Sequence, residues 1–119
     1  MNPRYVVTTD LSPASRRGAD VAAALARKTG AHLDFVCAVP RDLVDGDAPA
    51  ELLQTVRDET SSLARAHAKD GLTTAAHVVV VKDVAQAVMS HAEKSDADLV
   101  VVAPQGTTGW KKLVFGSVT

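Results

Sequence analysis

The chain has 119 residues, 46% of them hydrophobic and 23% charged, and its 13 Lys and Arg against 14 Asp and Glu give a net charge of -1. This composition is typical of one globular domain with an ordinary core, and it excludes disordered and membrane-spanning chains. The near-neutral charge gives no general attraction for nucleic acid or anionic lipid. We therefore predict a single domain over residues 1–119 that binds neither nucleic acid nor membrane.

Cysteine usage and the lack of a targeting signal indicate the compartment. Cys37 is the only cysteine, so an internal disulfide is excluded and a reducing environment is favoured. The chain shows no signal-peptide pattern and no apolar run long enough to cross a membrane. We predict a cytoplasmic protein in which Cys37 is a small core residue rather than a nucleophile, because apolar neighbours raise the pKa of a thiol.

The first two predicted elements are a strand and a helix. A β-rich run covers residues 5–9 and stops at Asp10. Ser12 is suited to cap the helix that follows, Pro13 suits its first turn, and Gly30 ends it. Three-to-four spacing predicts a buried face made of Ala14, Gly18, Val21, Ala22 and Leu25.

The middle of the chain predicts a strand, a loop and a second helix. The strand covers residues 33–39 and ends at Pro40, and the loop at 41–49 is rich in Asp, Gly and Pro. The helix is predicted over residues 50–70, with Gly71 as its stop. Its inner face is predicted to contain Leu52, Val56, Leu63 and His67.

The last part predicts a strand, a helix and a strand. Residues 73–81 contain four consecutive valines, which is typical of a parallel strand buried on both faces. Asp83 is predicted to cap the third helix, and residues 98–102 form the fourth strand. The third helix is expected to turn Val84, Val88 and Ala92 inward.

The resulting βαβαβαβ order predicts a parallel sheet with helices on both faces and right-handed crossovers. Ligands of such sheets bind beyond the carboxyl ends of the strands, where the strand order reverses. Asp10, the corner at Val39 and Pro40, and the loop at 103–106 all follow carboxyl ends. We therefore expect these three segments to meet at one crevice.

Glycines after the fourth strand indicate an anion site. Gly106 is followed, after nine residues, by Gly116 and Ser117. Glycine permits a positive φ and lets backbone amides approach a phosphate closely. Two other interpretations stay open, in which the glycines serve loop geometry alone and Ser117 simply caps a helix.

Three stretches resemble the universal stress protein domain. They are Val6-Val-Thr-Thr-Asp-Leu-Ser12, residues 97–102 and residues 116–119, and the resemblance covers the whole chain. It implies a doubly wound α/β sheet of the Rossmann-like, adenine nucleotide alpha hydrolase-like class, with strand order 3-2-1-4. Because family domains continue through a fourth helix and a fifth strand, we expect residues 1–119 to be a fragment that lacks both.

Nucleotide-binding members of this family carry Gly, two residues, Gly, nine residues, then Gly with Ser or Thr. This chain places Ala103, Gly106, Gly116 and Ser117 at those positions, so three of the four match. Where φ must be positive, the methyl group of Ala103 costs on the order of 1 kcal/mol. The resemblance therefore implies an adenine-nucleotide site with weakened binding.

The resemblance also implies a set of nucleotide-binding residues. Asp10 would accept from ribose hydroxyls, Ala38 would meet adenine, and the Ser117 hydroxyl and nearby amides would bind phosphates, which a Mg²⁺ ion could bridge. The alternative interpretation of Asp10 is a turn residue that contacts no ligand. The whole set is Thr8, Thr9, Asp10, Ala38, Val102, Ala103, Gly106, Gly116, Ser117 and Val118.

The favoured function is a stress-response regulatory module that binds ATP or a related adenine nucleotide and forms a homodimer. One alternative is a weak ATPase or autophosphorylating enzyme, although neither a Walker sequence nor a kinase residue set is present and no catalytic residue is assigned. The other alternative is a dimer module that binds no nucleotide. His32, His67, His77 and His91 show no metal-ligand spacing, so we predict core-edge or surface histidines and no metal site.

Overall fold

The structure is a computed structural model of the chain, and it describes residues 3–41 and 49–102. Strands and helices alternate in the predicted order, and no element boundary lies more than three residues from its expected place. The elements are β1 (Arg4–Thr8), α1 (Pro13–Thr29), β2 (His32–Pro40), α2 (Pro49–His67), β3 (Thr74–Val81), α3 (Val84–Lys94) and β4 (Leu99–Val101).

The four strands form one parallel sheet in the order β3-β2-β1-β4, which confirms the expected topology. In the centre of the sheet Val7 lies beside Phe35 on one side and beside Val101 on the other. Phe35 in turn lies beside Ala76 of β3. β2 therefore has a neighbouring strand on both sides, and it is buried from Leu33 to Val39.

Helices cover both faces of this sheet. Phe35 faces α1 and α2 in a core that includes Leu63 and Ala64 of α2. Alternate residues of β2 point the other way, and Asp34 there meets His91 of α3. α1 and α2 thus lie on one face and α3 on the other, as right-handed crossovers require.

Local capping explains where the helices begin and end. The Ser12 hydroxyl accepts from the Ser15 amide at 3.2 Å, and the Asp83 carboxylate accepts from the Gln86 amide at 3.1 Å. α1 ends at Gly30, whose φ of 73° is in the left-handed region that glycine adopts without a steric penalty. These three predicted helix ends are confirmed.

The predicted inner face of α1 is wrong at two of its large residues. Val21 is 65% exposed and Leu25 is 38% exposed. The apolar residues of α1 extend beyond the predicted stripe, and the face that packs on the sheet is displaced by one residue from the predicted one. Small side chains allow the helix to approach the sheet closely, and the buried residues are Ser15, Ala19, Ala22, Ala23 and Ala26.

β3 differs from the expectation in a similar way. Its four valines predicted burial on both faces, but all eight residues of the strand are only half-buried. The reason is its place at the edge of the sheet, where a neighbouring strand covers one side only. Val78 and Val80 still pack against the core on the α2 side.

The remaining helix predictions are largely confirmed. Val56 and Leu63 of α2 are buried, as are Val88 and Ala92 of α3. The side chain of Val84 lies outside the described part of the structure. Within residues 3–41 and 49–102, none of the three helices has both the length and the apolar character needed to cross a membrane.

Candidate functional site

The carboxyl ends of β1 and β2 bring together four residues predicted to bind nucleotide. Thr8 lies beside Val36 in the sheet, and the Thr9 amide donates to the Val36 carbonyl at 3.0 Å. If the same register is continued by two residues along both strands, Asp10 is level with Ala38. Thr8, Thr9, Asp10 and Ala38 are all at most 1% exposed.

Hydrogen bonds hold the turn after β1 in one shape. The Thr9 hydroxyl accepts from the Leu11 amide at 2.9 Å and shares a hydrogen bond with the Ser15 hydroxyl, also at 2.9 Å. The Asp10 Oδ1 atom accepts from the Ser12 amide at 2.9 Å, while Leu11 takes a positive φ of 65°. Asp10 therefore makes the hydrogen bond of a turn residue, which fixes the direction of its carboxylate, while its ribose role stays a prediction.

The strand order reverses between β1 and β4. The chain runs from β1 to β2 to β3 in one direction and then returns to the other side of β1. Val102 follows β4 at this point and is 69% exposed. Thr8, Asp10 and Val102 thus flank the reversal, which is where α/β sheets place their ligands.

The other predicted nucleotide-binding residues follow Val102 in the chain. They are Ala103, Gly106, Gly116, Ser117 and Val118, and they lie outside the described residues. The phosphate-binding roles assigned to them stay predictions.

Sequence and structure comparisons agree on the family. The model of the universal stress protein family matches residues 1–119. The chain belongs to the universal stress protein family. No curated protein sequence matches it at a significant level.

Solved structures share its fold, and they include universal stress proteins. A member from Burkholderia pseudomallei is 24% identical with a TM-score of 0.70, and the match covers 94% of this chain and 87% of that chain. The protein Rv1636 from Mycobacterium tuberculosis is 28% identical with a TM-score of 0.59, covering 87% and 72%. A universal stress protein in complex with cAMP is 25% identical with a TM-score of 0.63, covering 84% and 75%.

Cys37 of this universal stress protein domain lies on β2, one residue before Ala38, and is fully buried. Burial raises the pKa of its thiol to about 12, with a hydrogen bond between Cys37 and Thr60 acting in the opposite direction and the negative charge of Asp10 adding to the rise. The prediction that Cys37 is an unreactive core residue is confirmed in its burial and in the direction of its pKa.

A second group of polar side chains lies on the α3 face of the sheet, towards the amino end of β2. The Asp34 carboxylate, 5% exposed, receives a hydrogen bond from His32 Nε2 to Oδ1 at 2.7 Å. His77 Nε2 lies 3.6 Å from Oδ1, and His91 Nε2 lies 3.4 Å from Oδ2. Three of the four histidines of the universal stress protein domain therefore surround one buried carboxylate.

The charge of Asp34 is stabilised by these neighbours. Burial alone would raise the pKa of its carboxyl group, but hydrogen bonds from His32 and His91 and the charges of His32 and His77 together lower it below its usual value. Asp34 is therefore an anion at neutral pH. Sequence spacing missed the cluster because its members come from β2, β3 and α3. A signal was present, however: a charged residue between Leu33 and Phe35 in a buried strand requires a partner.

His67, the fourth histidine, is separate from this cluster. Its ring stacks on Phe35 with centroids 5.5 Å apart, and its Nε2 lies 3.3 Å from Asp20 Oδ1. Burial lowers the pKa of His67, Asp20 opposes this, and the positive charges of Arg27 and Lys69 lower the pKa further. The folded protein thus favours the neutral ring.

We expect this neutral histidine to make the stability of the protein decrease as the pH is lowered. Because the pKa of His67 is lower in the folded state than the ordinary 6.5, the unfolded chain binds more protons as pH falls below about 6.5. His67 therefore contributes stability that is present at pH 7.5 and is lost as pH falls towards the folded-state pKa. Urea unfolding of the wild type and His67→Gln at pH 7.5 and 5.0 tests this.

The difference in the free energy of unfolding between the two proteins should narrow at pH 5.0. His32, His77 and His91 are present in both, so their titration cancels in the comparison. A difference that stays constant or widens on acidification would contradict the assignment.

Proposed function

We propose that this universal stress protein domain is a regulatory module that binds ATP or a related adenine nucleotide at the carboxyl ends of β1, β2 and β4. The observation that carries the proposal is the meeting of Thr8, Thr9, Asp10 and Ala38 beside the reversal of strand order. A solved universal stress protein, 25% identical to this chain, is in complex with cAMP. Both support an adenine-nucleotide ligand.

The described residues fit such a ligand. The side chain of Ala38 is a single methyl group, so a flat base would meet little steric resistance on β2. The Asp10 carboxylate is held by the Ser12 amide, and a carboxylate accepts well from the paired hydroxyls of a ribose. The loop from Ala103 to Val118 would supply backbone amides and the Ser117 hydroxyl to the phosphates, and Mg²⁺ would be held mainly by the phosphates themselves.

Homodimer formation is part of the same proposal. In the described part of the chain, β4 forms one edge of the sheet, with Leu99 37% exposed. An apolar sheet edge of this kind favours a covering partner.

The experiment is a calorimetric titration with ATP, AMP, cAMP and GTP, with the oligomeric state followed by light scattering. We expect binding of adenine nucleotides and much weaker binding of GTP. A flat response up to millimolar nucleotide would contradict the proposal and favour the module that binds no nucleotide. Phosphate release from labelled ATP that depends on Asp10 would instead favour the weak-enzyme alternative.

A matched pair of Asp10 variants sharpens the test. Asp10→Asn keeps an oxygen that accepts from the Ser12 amide but loses the negative charge, so the turn should survive. Losing a charged acceptor for ribose costs about 1–2 kcal/mol, or roughly 5–30-fold in affinity. Asp10→Ala removes the turn contact as well and should also lower stability. An Asp10→Asn protein with wild-type affinity would exclude the ribose role.

A complementary variant restores the first glycine of the family signature. Ala103→Gly should tighten nucleotide binding about fivefold, because removing the methyl group relieves on the order of 1 kcal/mol. Unchanged affinity would show that φ at position 103 is not positive in the bound state.

A further inference from the structure

The cluster around Asp34 has the composition and spacing of a transition-metal site. We propose that Asp34, His77 and His91 bind one Zn²⁺ ion between β2, β3 and α3. Their ligand atoms all lie within 4.8 Å of one another. This site is distinct from the proposed nucleotide crevice, because Asp34 precedes Ala38 by four residues, about 13 Å along a strand.

His77 and His91 lie further from Asp34 than the partners of a strong hydrogen bond do. Charge-assisted N–H to carboxylate bonds are about 2.7–2.9 Å long, and His32 makes such a bond to Asp34 at 2.7 Å. His77 and His91 lie further away, at 3.6 and 3.4 Å. A tetrahedral Zn²⁺ with bonds of about 2.0–2.2 Å holds its ligand atoms roughly 3.3–3.6 Å apart. The three ligand atoms, which lie within 4.8 Å of one another, would therefore need only a small inward shift to bind the ion.

His32 is placed as a positioning residue for the metal-binding carboxylate. Its Nε2 donates to Asp34 Oδ1, and its Nδ1 lies 2.9 Å from the Thr73 hydroxyl. Because an ionised carboxylate only accepts, Nε2 carries the proton, and Nδ1 of the neutral ring accepts from the Thr73 hydroxyl. His32 thereby orients the carboxylate and leaves Oδ2 to face His91, which is the arrangement that outer-shell partners give to metal ligands.

Access and ligand number indicate an open site. The side chain of His77 is 41% exposed and that of His91 is 19% exposed. Both border a cavity of about 390 Å³ whose lining includes Arg57, Ser61 and Val79. Three protein ligands leave one position of a tetrahedral ion for water or an anion that enters through this cavity, and Arg57 would favour an anion.

The chemistry of the donors selects the metal. Two imidazoles and one carboxylate suit Zn²⁺ and neighbouring transition metals, whereas Mg²⁺ and Ca²⁺ prefer oxygen ligands alone. Binding would tie α3 to β2 and β3 on the face where it is the one helix in the described part of the chain. Bound Zn²⁺ should therefore raise the melting temperature of the protein.

The test is a titration of tag-free protein with Zn²⁺, followed by calorimetry and melting temperature, with Mg²⁺ as a control. We expect one Zn²⁺ per chain, a higher melting temperature with Zn²⁺ and no response to Mg²⁺. Co²⁺ used as a probe should give the intense visible absorption of a tetrahedral ion. Absence of Zn²⁺ binding below millimolar concentration would overturn the proposal.

Three variants and one matched control locate the ion. His77→Asn and His91→Asn should each weaken binding by about 100-fold or more, and His32→Asn by about 10–100-fold. His67→Gln removes the one histidine outside the cluster and should leave affinity unchanged. Because His77 is partly exposed, its variant is expected to fold, which circular dichroism verifies. If folded His77→Asn and His91→Asn bind Zn²⁺ as the wild type does, the ion lies elsewhere and the proposal fails.

Discussion

Replacing Phe35 with alanine is expected to lower the free energy of unfolding by about 3–5 kcal/mol. Phe35 lies in the middle of β2, an inner strand of the sheet, is fully buried, and stacks on His67. Truncation removes its buried apolar surface and leaves a cavity, because the neighbouring strands and helices are too well packed to collapse fully into the space. The loss is a large share of the total stability of a domain of this size.

Urea denaturation with a global fit measures this change, and the melting temperature should fall by roughly 10–20 °C. Phe35→Leu keeps most of the volume and should cost less than about 1.5 kcal/mol. Val21→Ala on α1 should change stability by no more than about 0.5 kcal/mol, since Val21 is 65% exposed. A large loss at Val21 together with a small one at Phe35 would show that the core lies elsewhere.

The thiol of Cys37 should resist alkylation in the native protein. Its pKa of about 12 leaves a thiolate fraction at pH 8 that is on the order of 10³ lower than that of an ordinary cysteine, and the thiolate is the form that reacts. Full burial excludes the reagent as well. Labelling by iodoacetamide should therefore be at least about 1000-fold slower in buffer than in urea.

Mass spectrometry of samples quenched over time gives both rates, and Cys37→Ser supplies the background. Labelling in buffer should depend on opening of the sheet and should speed up as urea approaches the unfolding midpoint. A native rate within tenfold of the denatured rate would mean that β2 is open to solvent near Ala38, contrary to the burial described above.

Secondary structure was predictable because its signals are local. Ser12, Gly30 and Asp83 mark helix ends through contacts with residues a few positions away, and all three act as expected. Topology was predictable because the alternation of strands and helices, together with the family resemblance, leaves few arrangements. The residues at the end of β1 come together with Ala38 for the same reason.

Predictions of burial and of side-chain contacts failed where they depend on residues that are distant in the chain. The alanines of α1 extend beyond its predicted inner face, and the sheet packs against the neighbouring face, which has the smallest side chains. Four valines in β3 predict an apolar strand, but burial depends on whether another strand lies beside it. The Asp34 cluster joins residues far apart in the chain, with His91 lying 57 positions after Asp34, so no spacing rule could find it.

The alanines that α1 turns to the sheet also determine which substitutions this domain can accept over time. Ala19, Ala22, Ala23 and Ala26 are fully buried, so any larger side chain there would push the helix away from the sheet. Val21 and Leu25, on the outer side, carry no such restriction. Among descendants of this sequence, the inner positions of α1 should stay small while the outer ones vary freely.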